Sequence, residues 1–423
     1  MPRPLVTLLA AVALSGFLGC AASVGNGADG GGPPACTATQ TCASQGFTCG
    51  SFLDSCGVAQ PCGSCRIGTC TAAGGAPGRC EFSGAYAGAG NPDPNGLCKE
   101  ALPAAAQPVS ASTPTTVVGT GTAGSCTFAA LAAAVARGGV ITFSCGADPV
   151  TIPVTATLVL DPTKDTVIDG GNKVTLDGGD AVRILSWDNG NWQVDAHVLT
   201  LQHLVLAHGR ATGTTQFTPH PGTECPTGYQ DGQGGALYMR DGVLHAVDVT
   251  FVNNQAALLG PDTGGGAVYL LGVRPATIAT CSFLGNRASN GGGLGGLFAT
   301  YTVYDSLFDG NDATGFGAND VNATKCPYGN HQIGSGGNGG ALYSDGNGAD
   351  VKLCGTQVRS NHAGAFGGAL FFTSNDGTGW LTIRDSNLHD NAQDSDWWEW
   401  WTPHSKISTN ANTHDPVNST IQQ

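Results

Sequence analysis

"GGALYMRDGVLHAVDVTFVNNQA", residues 234–256, opens on two glycines and closes with Phe251 three positions before Asn254. The same association returns as Gly265-Gly266-Ala267-Val268 with Phe283 and Asn286, and as Gly295-Gly296-Leu297-Phe298 with Phe308 and Asn311. It continues as Gly339-Gly340-Ala341-Leu342 with Val358 and Asn361, then as Gly367-Gly368-Ala369-Leu370 with Leu388 and Asn391. The glycine pairs begin at intervals of 31, 30, 44 and 28 residues, the range of period that marks stacked repeats. Each copy reads as one rung of a stack.

Within a rung the side chains alternate between two faces. Placing Phe251, Phe283, Phe308, Val358 and Leu388 inward sends Asp248, Thr280, Asp305, Gly355 and Asp385, three positions earlier, outward. Alternation also buries Cys281 and Cys354 as small hydrophobes. Asn254, Asn286, Asn311, Asn361 and Asn391 stand where each strand ends, and identical amides at that corner can form a ladder. The glycine pair then opens the next strand, where a Cβ would collide with the neighbouring rung.

Composition agrees with a turn-rich, all-β body: 66 of 423 residues are glycine and only 11% are charged. The glycines lack the three-residue period of collagen. A net charge of -14 argues against nucleic-acid phosphates and anionic membrane surfaces as partners. Basic ligands, calcium and neutral glycans remain open.

Outward from the repeats, the chain divides into six segments. Residues 1–19 read as an export signal, with Arg3 the sole charge before the apolar run Leu5 to Leu18. Residues 20–35 form a small, polar tether. Residues 36–98 hold Cys36, Cys42, Cys49, Cys56, Cys62, Cys65, Cys70 and Cys80, too many for a segment unable to bury a core unless disulfides supply the constraint. Zinc is the competing reading, resting on one C-x-x-C at Cys62 and Cys65 without a nearby histidine. Residues 99–124 are a linker rich in Ala, Pro and Thr. Residues 125–396 are the stack, opened by a helix with Phe128, Leu131 and Val135 on one face and a Cys126 to Cys145 staple. Residues 397–423 carry Trp397, Trp398, Trp400 and Trp401, which either cap the open end or offer stacking platforms for sugar rings.

Three resemblances follow from these residues. Phe17-Leu18-Gly19-Cys20 resembles a bacterial lipobox, which implies a lipid on Cys20 and an exported protein at the outer membrane or cell surface, or otherwise secreted. The run "CGSFLDSCGVAQPCGSC" resembles cysteine-rich modules of bacterial surface lipoproteins and secreted hydrolases. The GGA-[ILV] and F-x-x-N pairing resembles the repeats of bacterial polymorphic outer-membrane proteins, and the wider segment the pectin-lyase-like superfamily. The fold this implies is an all-β, right-handed parallel β-helix solenoid with an N-terminal capping helix, preceded by a disulfide-rich module. Those outer-membrane proteins end in a translocating barrel, which is not expected here.

The leading functional expectation is a non-catalytic, surface-anchored and monomeric protein that binds a glycan or matrix component. A polysaccharide lyase or glycoside hydrolase is the alternative, and a structural envelope component the third reading. The hydrolase motifs implied by the superfamily are present only as the fragments Asn375-Asp376 and His208-Gly209-Arg210. The weak catalytic candidates are Asp248, Asp305 and Asp385, with the first two ~9.6 Å apart at two strand spacings, near the limit for an inverting pair. Insertions at 210–233 and 312–338 lie on one edge, bring His220, Tyr229, Tyr328 and His331 together, and suggest a Cys225 to Cys326 cross-link. Trp397 and Trp400 extend the candidate ligand surface. No cofactor is required, although Asp177, Asp180, Asp231 or Asp241 would suit calcium.

Overall fold

The computed structural model describes residues 50–56, 58–61, 69–71, 79–81, 97–213, 218–219, 226–227, 231–315, 336–394 and 406–421. Cys20, His220, Cys225, Tyr229, Cys326, Tyr328, His331, Trp397 and Trp400 lie outside them. The protein is mostly β, with long, curled parallel sheets and few helices. An 8-stranded sheet takes one short strand from each repeat, running from Leu158–Val159 to Ile407–Thr409. A 16-stranded sheet takes the following strands, and a 4-stranded sheet takes Arg287–Ala288, Asp312–Ala313, His362–Ala363 and Ala392–Gln393.

The central column of the core is aromatic. Phe251, Phe283 and Phe308 are fully buried and in register, their rings stacked at 4.7 Å and 4.4 Å. Val358 and Leu388 continue the column. Beside it runs a line of buried amides. Asn254 donates through Nδ2 to Asn286 Oδ1 (3.0 Å), Asn286 to Asn311 (2.9 Å), Asn311 to Asn361 (2.9 Å) and Asn361 to Asn391 (2.9 Å). Each Oδ1 also accepts the preceding asparagine's backbone N–H. The second amide hydrogen serves a carbonyl one repeat back, such as Leu206 O for Asn254 and Phe251 O for Asn286. From Asn254 to Asn361 every side-chain polar atom at this buried corner therefore has a partner, which a buried amide requires.

The glycine pairs are Gly234-Gly235, Gly265-Gly266, Gly291-Gly292, Gly339-Gly340 and Gly367-Gly368. Strand register pairs Val268 with Leu294 and Leu294 with Leu342, so Gly291-Gly292 fills the third position. Gly295-Gly296 instead lies within the strand Leu294–Leu297. "GGGLGGLF" offers two pairs, and only pairing with neighbours selects between them. The first glycine of each pair has φ between 55° and 69°. A Cβ on Gly235, Gly266, Gly292 or Gly340 would collide with the carbonyl oxygen of the matching glycine one repeat on.

A second column breaks the strand alternation. His203, Asp248, Thr280, Asp305, Gly355 and Asp385 all have φ between 45° and 65°, bending the chain between two strand pieces. Short polar residues and glycine tolerate that conformation, which gives the outward aspartates a backbone reason to be there. The bend corrects the placement of Cys354. It precedes Gly355, pairs in register with Tyr304, and faces away from the core that holds Cys281.

Cys354 is bonded to Cys98, with Cα atoms 5.0 Å apart. Residues 97–109 consequently lie against the 16-stranded sheet and do not behave as the expected linker. Ala106 packs with Ala279, Tyr304 and Cys354, and Glu100 pairs with Lys352 and Arg384. The Gln202 side-chain amide accepts Val109 N–H through Oε1 and donates to Val109 O through Nε2, 2.9 Å each way. Thr116–Val118 then joins the sheet beside Gly139–Phe143. Removing the bridge by Cys98→Ala together with Cys354→Ala is expected to cost about 2–4 kcal/mol in urea unfolding and to open this strap to proteolysis. An unchanged midpoint and cleavage pattern would show that its packing alone suffices.

At the opening end, helix α1 (Phe128–Arg137) is capped by Thr127, whose side chain accepts from Ala130 N, and ends at Gly138. It buries Leu131, Ala134 and Val135 in the main core. Cys126 and Cys145 are bonded, with Cα atoms 5.6 Å apart. At the other end the stack continues beyond residue 396, because Ile407–Thr409, Asn412–Thr413 and Thr420–Ile421 extend the sheets. In the cysteine-rich segment Cys56 and Cys70 each take part in a disulfide, and Thr69–Thr71 pairs antiparallel with Arg79–Glu81.

Candidate ligand-binding site

Asp248, Thr280, Asp305, Gly355 and Asp385 share one column, yet the two aspartates nearest the strap are already engaged. Asp305 Oδ1 accepts Cys98 N–H at 2.6 Å, and Asp385 Oδ2 accepts Lys99 N–H at 3.0 Å. Both are buried. Burial raises the Asp305 carboxyl; it would raise Asp385 too, but hydrogen bonds from Lys99 and Asn418 bring that group below its usual range. Asp248 is half-buried and raised by burial against the opposing influence of His203. The strap occupies the surface that a substrate would need to reach Asp305 and Asp385.

The proposed calcium ligands are dispersed. Asp177 faces His208 at 3.2 Å, whereas Asp241 Oδ1 accepts Gln193 N–H at 2.6 Å. Among the described residues no three of Asp177, Asp180, Asp231 and Asp241 converge. Among the described residues the one ligand-like trio is Cys98, Glu100 and Cys354, whose two sulfurs are bonded to each other.

A cluster the sequence did not single out lies on the outer face of the 8-stranded sheet. Tyr343 donates to Asp345 Oδ2 at 3.2 Å, and Thr373, Asn375 and Gly346 N satisfy Asp345 Oδ1. Tyr269 donates to the carbonyl of Asp262 at 2.7 Å. Burial, reinforced by the Asp345 charge, pushes the Asp262 carboxyl up to about 7.

Among the described residues, a recess of about 320 Å³ is lined by Trp192, Gln193, Arg274, Phe298, Asn347, Gly348 and Asp376. These residues come from the segments that follow five strands of the 8-stranded sheet, Leu185–Asp188, Val268–Leu271, Leu294–Leu297, Leu342–Asp345 and Leu370–Phe372, with Leu237–Arg240 lying between the first two. A turn closed by Gly190 N–H to Asp188 Oδ1 (2.9 Å) leads into Trp192, which remains 49% exposed. Its indole meets Phe298 edge-to-face, with centroids 5.4 Å apart and planes at 77°. The ring can lie there because residue 272 is glycine: a Cβ would come within 2.6 Å of Asp241 Oδ1 and 3.2 Å of the indole. Gln193, held at φ 57° by its bond to buried Asp241, fixes the adjoining wall.

The charged groups are similarly fixed. Arg274 donates from Nε to Phe298 O at 3.0 Å and from Nη2 to Asn347 O at 2.7 Å. Asp376 Oδ1 accepts Gly348 N–H, Ser374 Oγ, Thr378 N–H and Thr378 Oγ1 at 2.9–3.2 Å. Led by the Gly348 N–H, these bonds hold the carboxyl down to about 2. Among the described residues, Arg274 Nη1, Asp376 Oδ2 and the side-chain amides of Gln193 and Asn347 have no partner. The recess thus offers an aromatic face beside one fixed cation, one fixed anion and two amides. Sequence reasoning missed it because the lining residues differ in chemical type from one repeat to the next; the available signal was Trp192 isolated in the turn-rich "WDNGNWQ".

No family model matches the chain, and neither a curated protein nor a solved structure matches it.

Proposed function

We propose that this chain is a surface-anchored, non-catalytic glycan-binding protein built on a right-handed parallel β-helix of the pectin-lyase-like kind. Support for that architecture comes from the in-register parallel strands contributed once per repeat to the sheets. The observation carrying the binding reading is the recess at Trp192, where an exposed indole adjoins Arg274 and Asp376, both already oriented by the backbone. Recognition sites pair an apolar face with a few placed polar groups, and prior orientation reduces the entropy lost on binding. A glycan array probed with the purified protein is expected to show retained carbohydrates; an array blank at protein concentrations up to ~100 μM, a weak affinity on the ordinary scale, would reject binding. The anchor is a lipid on Cys20 at the outer membrane or cell surface, and a Cys20→Ala protein still acylated would reject it.

The Asp262 and Asp345 pair favours one second reading, a glycoside hydrolase or polysaccharide lyase. Burial raises both carboxyls, Asp262 to about 7, and a carboxyl held neutral by its surroundings can serve as a general acid. New reducing ends or unsaturated uronate, abolished by Asp262→Asn, would establish that reading in place of the first.

A further inference from the structure

Resting on the glycan-binding reading, we infer that the corner recess takes an uncharged hexopyranose ring, stacked on Trp192 and held through neighbouring hydroxyls by Arg274 and Asp376. A pyranose has a face of C–H bonds and a rim of hydroxyls. The exposed indole, braced by Phe298, meets the first requirement without having to be ordered on binding.

The rim chemistry is set by what remains free. Arg274 Nη1 can only donate, and the Asp376 carboxylate oxygen Oδ2 can only accept. A hydroxyl does both, so two adjacent hydroxyls can give a proton to Asp376 and take one from Arg274. The Gln193 and Asn347 amides each add donors and an acceptor at the wall. A flat aromatic ligand would cover the indole but leave these groups desolvated and unpaired, which weakens binding.

Charge decides between neutral and acidic sugars. A uronate brought to Arg274 would place its carboxylate beside Asp376, which stays ionised, within a protein of net charge -14. An amino sugar meets the opposite conflict at Arg274. An uncharged ring uses both groups and opposes neither.

The test is calorimetric titration of the intact protein with neutral gluco-, manno- and galacto-oligosaccharides and, separately, with oligogalacturonate. Binding of at least one neutral series is expected, with Kd weakened tenfold or more by Trp192→Ala and by Asp376→Asn. Trp380→Ala, which removes an exposed indole outside the recess, is expected to change nothing. Thermal midpoints for all variants separate lost contact from lost fold, since Trp192 and Asp376 are exposed. Oligogalacturonate binding as tightly as any neutral sugar and depending on Trp192 would overturn the neutral choice while leaving glycan binding in place. Neutral binding indifferent to Trp192→Ala and Asp376→Asn would overturn the recess as its site. Failure of every carbohydrate, on the array and in solution, would remove both readings.

Discussion

Asn311→Ala is expected to destabilise the protein by about 4–6 kcal/mol, because a buried group that loses its partner costs ~1–3 kcal/mol and this change strands several. Asn311 Oδ1 accepts both the backbone and side-chain N–H of Asn286, while its own amide serves Phe283 O and Asn361 Oδ1. Truncation leaves the Asn286 donors and the Phe283 carbonyl facing a cavity. Asn311→Asp separates polarity from volume, since it preserves the shape but aims a carboxylate at two acceptor oxygens. Burial would raise the introduced carboxyl's pKa, so the variant should be most stable below the ordinary carboxylate range and weaken as pH rises through the folded-state value. Urea unfolding at pH 4 and pH 7 measures both effects. A loss below ~1 kcal/mol for Asn311→Ala would mean that the ladder is ornamental.

Phe283→Ala is expected to cost ~3–5 kcal/mol, since the ring is fully buried between Phe251 and Phe308 and its removal leaves a cavity in a close-packed column. Thr280 supplies the internal control. It is a β-branched residue at φ 51°, where asparagine is better tolerated, so Thr280→Asn should gain up to ~1 kcal/mol. The two substitutions lie three residues apart in one repeat, and opposite signs in the same unfolding assay are the expected result. Equal losses would show that the bend at Thr280 is not strained and that Phe283 does not fill the interior.

The repeat was legible because its two invariant demands are local and chemical: an amide at a buried corner, and glycine where a neighbouring carbonyl leaves no room. Phe251, Phe283 and Phe308 could be given a face from spacing alone. Cys354 could not, since one left-handed residue at Gly355 reverses the alternation, and nothing in the residue type of Cys354 announces it. The ambiguity between Gly291-Gly292 and Gly295-Gly296 likewise needed the neighbouring strands. The strap resembled a linker because its small residues pack in a shallow seat supplied by Ala279 and Tyr304, which are distant in the chain. Trp192, Arg274, Phe298 and Asp376 meet only after several repeats are stacked, so no window of sequence contains the recess.

The amide ladder also bears on how such a chain can change length. From Asn286 to Asn311 the step is 25 residues, and from Asn311 to Asn361 it is 50, yet both steps close with a 2.9 Å bond of the same kind. Each link has the same donor and acceptor ends as the one before it, so the ladder is translationally symmetric even though the chain between links is not. A whole repeat can be duplicated or excised and the remaining ends still match, and excursions between corners can grow without being felt along the axis. Half a repeat cannot be lost, because an amide would then face a surface with no complement. Growth is quantised along the stack and continuous away from it, which lets a protein of this construction vary its outer contour while its spine stays constant.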